Sequence, residues 1–181
     1  GGETQTRRYA LLLIKAFLDA TIERWAEAER FDYLSVLSKA SVDGLSWYLR
    51  EPVLQQMAKE RGSQIPDHVT FVFGHTHKPF EDDLPLVGYK LPVKIFNSGG
   101  WVLDEPQMMP FEGAAAIFID DELNVVSLRL YNDPVNGEPV DVYIPENGAN
   151  PADNPLKNAL QDALANQDTT KLWKDFSDQA A

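Results

Sequence analysis

Val69-Thr-Phe-Val-Phe-Gly-His-Thr-His-Lys-Pro79 is the stretch from which the rest of this chain is read. Its first five residues form a short β-branched and aromatic run with a glycine behind it, the composition of a buried strand and its stop. Gly74 lets the backbone turn sharply at the strand end, where a bulkier residue would be strained. Two imidazoles two residues apart, His75 and His77, can then project into one cleft, and neutral imidazole is a common ligand for zinc, iron and manganese. Pro79 stiffens the exit. A bare His-x-His carries little information, whereas a strand followed by Gly-His-Thr-His-Lys-Pro is far more specific.

Upstream of this stretch the pattern is helical. Leu11, Ile14, Phe17, Leu18, Ile22 and Trp25 fall at helical spacing with no Gly or Pro among them, so residues 5–30 are expected to form one long helix. One or two further helices are expected over 32–61, with Ser41-Val-Asp-Gly44 as a break or cap. Pro52 is expected in the first turn of Glu51–Arg61, where its missing N–H costs least. Downstream the texture is that of strands: Lys90–Phe96, then Ala114–Ile119 and Val125–Tyr131 as a hairpin around Asp120-Asp-Glu-Leu-Asn124, with Val140–Ile144 as an edge. After Pro145 the chain becomes polar and rich in Pro, Asn and Gly, the mark of a linker. Asn154-Pro155 then opens a helix to about Asn166, and Thr169–Gln179 suggests another. The reading is α/β with three parts: a helical segment 1–66 that caps or flanks, a core segment 67–145, and a linker with C-terminal helices over 146–181.

Composition narrows the functional classes. With 44% apolar and 10% aromatic residues in 181, the chain can bury a sizeable core. Its formal charge is −12, and the segments 1–67, 68–131 and 132–181 carry −1, −5 and −6. No basic stripe exists to release counterions from a nucleic acid, and an anionic membrane surface would repel such a body. There are no cysteines, which removes disulfides, thiolate zinc sites and thiol nucleophiles. The longest apolar run, Ala10-Leu-Leu-Leu-Ile14, falls far short of the roughly 20 residues a bilayer requires, so no transmembrane segment and a cytoplasmic location are expected. No Gly-x-Ser-x-Gly elbow, Walker loop or Gly-x-Gly-x-x-Gly is present.

Phe71-Val-Phe-Gly-His-Thr-His-Lys-Pro79 resembles the last metal-binding motif of the calcineurin-like metallophosphoesterases. Phe96-Asn-Ser-Gly-Gly-Trp101 is similar to the strand end that follows that motif, and the hairpin Ala114–Tyr131 resembles the strands that close the family's second sheet. The resemblance covers roughly Val69–Tyr131, about a third of the chain. It implies a metallophosphoesterase-type β-sandwich flanked by helices, with helical N- and C-terminal segments, carrying two divalent metal ions (Mn, Fe or Zn). Such ions, about 3.5–4 Å apart, clamp a phosphate and activate water for in-line attack. By resemblance His75 binds one ion and His77 the other. Asn97 and Ser98 lie near the same rim, Trp101 shapes a substrate pocket, and Lys78 reaches the phosphate of a small phosphoester.

The family's earlier motifs (Asp-x-His, Gly-Asp, Gly-Asn-His and a further histidine) do not occur upstream of His75. Together with a start at Gly1 that is not a methionine, this leads us to expect the C-terminal portion of a longer enzyme, inactive by itself and lacking the N-terminal half of the phosphoesterase core. Several of these residues also have purely structural readings. Asn97 pins backbone at a strand end, Trp101 packs in the core or rim, Lys78 is simply exposed, and His68 caps the strand. Glu81, Asp82 and Asp83 either form a solvated loop or complete a mononuclear hydrolase site with His75 and His77. A non-catalytic binding module derived from the same fold is the remaining alternative.

Overall fold

The strand β3 (Val93–Asn97) organises the molecule. In the computed structural model, which describes residues 32, 35–62, 64–74, 76–100, 111–132, 142–145 and 153–180, β3 lies between two neighbours. It pairs in parallel with β1 (Thr70–Phe73), Phe71 opposite Ile95 and Phe73 opposite Asn97. On its other side it pairs antiparallel with β2 (Phe80–Leu84), Phe80 opposite Asn97 and Leu84 opposite Val93. Because successive strand residues point to opposite faces, Val93 and Ile95 share a face with Phe71, Phe73, Phe80 and Leu84. That face packs on Leu45, Leu49 and Val53 from the preceding helical run. The opposite face presents Phe96, which packs on Ile117 and Val125 of the hairpin β4 (Gly113–Ile119) and β5 (Val125–Asn132). The hairpin in turn buries Ala114, Val126, Leu128 and Leu130 against Leu156, Leu160, Trp173 and Phe176. These last come from α3 (Pro155–Ala165) and α4 (Gln167–Ala180). Helices, three strands, two strands and helices thus follow one another as packed layers, an α/β architecture whose described elements all belong to the unit Tyr33–Ala181.

Local chemistry explains most boundaries. α1 (Lys39–Tyr48) is capped by Ser38, whose hydroxyl accepts from the Ser41 amide at 3.2 Å, so Ser41–Gly44 lies inside the helix instead of breaking it. Pro52 likewise falls within a continuing helical run and not at a first turn. The run widens to a π-helical turn over Leu49–Val53, where the Leu54 amide donates to the Leu49 carbonyl. A proline removes one ladder donor, and a single wide turn accommodates the loss. The Tyr89 hydroxyl also donates to the Leu49 carbonyl, at 2.7 Å. α2 (Leu54–Arg61) then closes on Gly62 in the left-handed conformation, φ +64°.

At the other end of the chain Asn154 performs two jobs. Its Oδ1 accepts from the Leu156 and Lys157 amides at 3.0 and 3.2 Å, and its Nδ2 donates to the Val125 carbonyl at 3.0 Å, tying α3 to β5. Of the edge expected over Val140–Ile144, Tyr143 bridges Arg129 through bonds of 2.8 and 3.2 Å, with positions 140 and 141 outside the described residues. The helix expected over 5–30 also lies outside them. No described helix is long and apolar enough to cross a membrane.

The three acids after Pro79 form part of strand β2, where a loop was expected. An edge strand tolerates such charges when its outward groups meet water, and Asp82 and Asp83 are exposed. Glu81 points the other way, across to the hairpin sheet, and its Oε2 meets Arg129 Nη2 at 2.8 Å with the two side chains only 4% and 10% exposed. Burial raises the Glu81 carboxyl above its ordinary 4.5, and this outweighs the attraction of Arg129 and the bond from Ser127 that lower it. The pair therefore fixes how the sheets face each other more than it stabilises the fold.

Arg129→Leu leaves the buried Glu81 carboxylate without its counter-charge and is expected to cost about 3–5 kcal/mol in urea unfolding, whereas Glu81→Met with Arg129→Leu should be near neutral. A carboxyl raised in the folded state holds its proton where the unfolded chain has lost it. The stability it contributes is therefore present below pH 4.5 and lost as pH rises through the raised folded value. That slope should vanish in the double variant, measured as unfolding free energy against pH.

Candidate functional site at the ends of the parallel strands

β1 and β3 run parallel and finish side by side, so the Gly74–Pro79 turn and the Ser98-Gly-Gly100 segment leave from the same end of the sheet. The Ser98 amide donates to the Phe73 carbonyl at 3.0 Å, continuing the ladder past the strand. The carboxyl ends of parallel strands are where open α/β sheets place their ligands, because diverging loops leave a crevice there.

Glycines allow the segments to meet at backbone contact. A Cβ on Gly74 would stand 2.5 Å from Ser98 Oγ, and one on Gly100 would stand 2.5 Å from Cδ2 of the His77 ring. At Gly99 the backbone is left-handed, φ +70°, and a Cβ would fall 2.4 Å from the Gly113 carbonyl oxygen and 2.7 Å from Pro79 Cδ. Backbone bonds seal the junction. The Gly113 amide donates to the His77 carbonyl at 3.0 Å, the Gly100 amide to the Gly113 carbonyl at 3.0 Å, and the Ala115 amide to the Ser98 carbonyl at 2.7 Å. The histidine turn, the end of β3 and the start of β4 are thereby one unit.

Asn97 holds the turn from beneath. It is fully buried, and its Nδ2 donates to the Lys78 carbonyl at 2.8 Å and to Thr76 Oγ1. A carbonyl can only accept, which fixes the carboxamide with its NH₂ toward the turn. Its Oδ1 is buried and has no hydrogen-bond partner among the described residues. Backbone pinning, one of the two readings its sequence position allowed, is therefore an observed contact. Ser98 is half-buried, and its main chain bonds both sheets while its Oγ lies against Gly74. Lys78 is 1% exposed, and its Nζ donates to the Ser35 carbonyl at 3.0 Å, so its ammonium is turned into the fold. His77 is half-buried, with Nδ1 enclosed in the fold. His75 and Trp101 lie outside the described residues. His68 is exposed near the start of β1, at the end of that strand opposite the turn.

Two residues at this junction escaped the sequence reading. Tyr131 donates its hydroxyl to the Gly100 carbonyl, and Glu112, 2% exposed, precedes the Gly113 that bonds His77. Burial raises the Tyr131 hydroxyl above its ordinary 10.0, and the charge of Glu112 raises it further. The available signal was one acid beside the apolar strand of Gly113-Ala-Ala-Ala-Ile-Phe-Ile119.

An imidazole nitrogen, a buried carboxylate and a buried amide oxygen are donor types that suit a divalent ion. Among the described residues no three His, Asp or Glu side chains gather as a ligand set. The described residues of the junction do not by themselves complete a metal centre. Glu81, considered as a local ligand, is held by Arg129 instead.

Gly100→Ala pushes on the root of the His77 side chain, with Cγ at 2.8 Å and Cα at 3.2 Å, while Gly99→Ala meets backbone and proline atoms at a left-handed φ. Thermal melts should show a clear loss for Gly99→Ala, about 1–3 kcal/mol from the backbone conformation with the clash added. Gly100→Ala should lose less but shift the NMR signals of the His77 ring. Comparison with protein-family models, with curated proteins and with solved structures finds no match for this chain.

Proposed function

We propose that this chain is the C-terminal portion of a dinuclear metal-dependent phosphoesterase, with a metallophosphoesterase-type sandwich as its core. The observation that carries the reading is the anchoring of the Gly-His-Thr-His turn at the carboxyl end of a parallel strand, against the Asn-Ser-Gly-Gly end of its neighbour. The motif resemblance and the packing of the three-stranded sheet on the β4–β5 hairpin support it.

In this reading His77 belongs to one ion and His75 to the other. Two divalent ions (Mn, Fe or Zn), when bound, supply Lewis acidity toward phosphate and a nucleophile from water. The work of this chain is to hold donors still. Asn97 clamps the turn through the Lys78 carbonyl, Gly100 backs the ring, and the Gly113 amide fixes the His77 main chain. Ser98 stands at the rim toward the ester, Trp101 is assigned to the substrate by the motif resemblance alone, and Lys78 braces the turn from inside.

The remaining ligands belong to the N-terminal half of the core, so the chain alone is inactive and its partner is that half. A body of charge −12 favours a small phosphomono- or diester over a polyanion, acting in the cytoplasm. In the complete enzyme His77→Ala should lower kcat for p-nitrophenyl phosphate with Mn²⁺ by about two orders of magnitude or more, as loss of a metal-held centre does. Unchanged turnover would overturn the reading and leave a binding module in its place.

A further inference from the structure

We propose that the outer edge of β1 joins two copies of this chain, Thr70–Phe73 pairing antiparallel with the same strand of a second copy. The inference goes beyond the phosphoesterase reading and stands or falls without it.

β1 ends the three-stranded sheet on one side, with β3 as its neighbour. The Val69 and Phe73 carbonyls accept from the Lys94 and Ser98 amides at 3.0 Å, so the odd-numbered positions bond β3. Strand groups alternate in direction, and Thr70 and Val72 therefore turn amide and carbonyl outward. Among the described residues nothing takes those groups. An open edge is a template for another strand unless charge, proline or a bulge blunts it. The sheet's other edge is blunted in this way, since β2 carries exposed Asp82 and Asp83. Thr70-Phe-Val-Phe73 is uncharged, and Val72 is exposed. Beside it the Tyr48 ring lies 6.1 Å from that of Phe71, and Tyr48 and its neighbour Trp47 are both exposed.

A second copy is the occupant that this chemistry fits. In antiparallel pairing Thr70 meets Val72 of the copy and Val72 meets its Thr70, a register that uses every outward amide and carbonyl of both residues. The two-fold axis then passes by Phe71 and makes the contact self-complementary and closed. It stands perpendicular to the sheet, so both helical layers share one face. Charge permits this approach. Residues 39–61 carry Lys39, Arg50, Lys59 and Arg61 against Asp43, Glu51 and Glu60, a net +1 within a chain of −12. Mixed charges around an uncharged strand let two copies meet here, while acids elsewhere repel. The same register sets the exposed His68 of each copy opposite Gly74 of the other, at the entrance to the histidine turn.

The test is sedimentation velocity of the 181-residue chain over a range of concentrations, with amide hydrogen exchange measured at both ends of the range. The mass should rise from 20.3 kDa toward twice that value as concentration increases. The Thr70 and Val72 amides should gain protection with it, whereas those of Phe71 and Phe73, bonded to β3, should be protected throughout. Val72→Lys adds the edge charge that β1 lacks and should weaken the dimer by about tenfold or more. Asp82→Lys, on the opposite edge, should leave it unchanged. If Val72→Lys fails to fold, exchange in the wild type still decides. A monomer at every concentration, with the Thr70 and Val72 amides exchanging freely, overturns the proposal and leaves this edge to a strand of another chain. A dimer that forms without protecting these amides, or that a folded Val72→Lys leaves intact, overturns it as well.

Discussion

Main chain packed directly against main chain at Gly99 and Gly100 is the constraint on which the rest of the structure depends. With a side chain at either position, the Pro79 and His77 segment could not lie where it does, and the Gly113 carbonyl could not take the Gly100 amide. That contact links three separate stretches, the turn after β1, the end of β3 and the start of β4. It is also where the two sheets are joined by hydrogen bonds, through Gly99 opposite Ala114. Close approach leaves no slack, so the His77 ring is oriented by backbone, the least adjustable part of the molecule.

Buried polar groups then give the packing its specificity. Phe96 alone would let the three-stranded sheet slide over the hairpin, whereas Glu81 and Arg129 allow one alignment, since a displaced pair would leave two buried charges apart. Asn97 acts in the same way on a smaller scale, satisfying a carbonyl and a hydroxyl of the turn from the end of the neighbouring strand. Asn154 repeats the device between helix and hairpin. Each uses a directional bond to select among arrangements that apolar contacts alone would tolerate.

These features were legible to different degrees. The hairpin announced itself, because two apolar runs flank a polar turn in which Asp120 accepts from the Asn124 amide. The helix after Asn154-Pro155 was equally plain, since a capping side chain and a proline at the first turn are local signals. β2 was hidden. Its Glu81-Asp-Asp83 core reads as solvated loop, and only the partner Arg129, 48 positions away along the chain, explains the buried carboxylate. Pro52 misled for a related reason, because a proline normally marks a helix start and here a wide turn absorbs it.

The sequence by itself determined the strand-and-glycine grammar around His75 and His77, the α/β class, and the net acidity that disfavours polyanions. Those are properties of local composition and spacing, and they survive whatever the chain packs against. Only the tertiary structure decided the parallel pairing of β1 with β3, the inward turn of Lys78 toward Ser35, and the arrival of Tyr131 beside Gly100. The physical reason is distance along the chain. Parallel pairing and buried polar contacts join residues tens of positions apart, and no local pattern encodes which acid or lysine will find its partner once the sheets close.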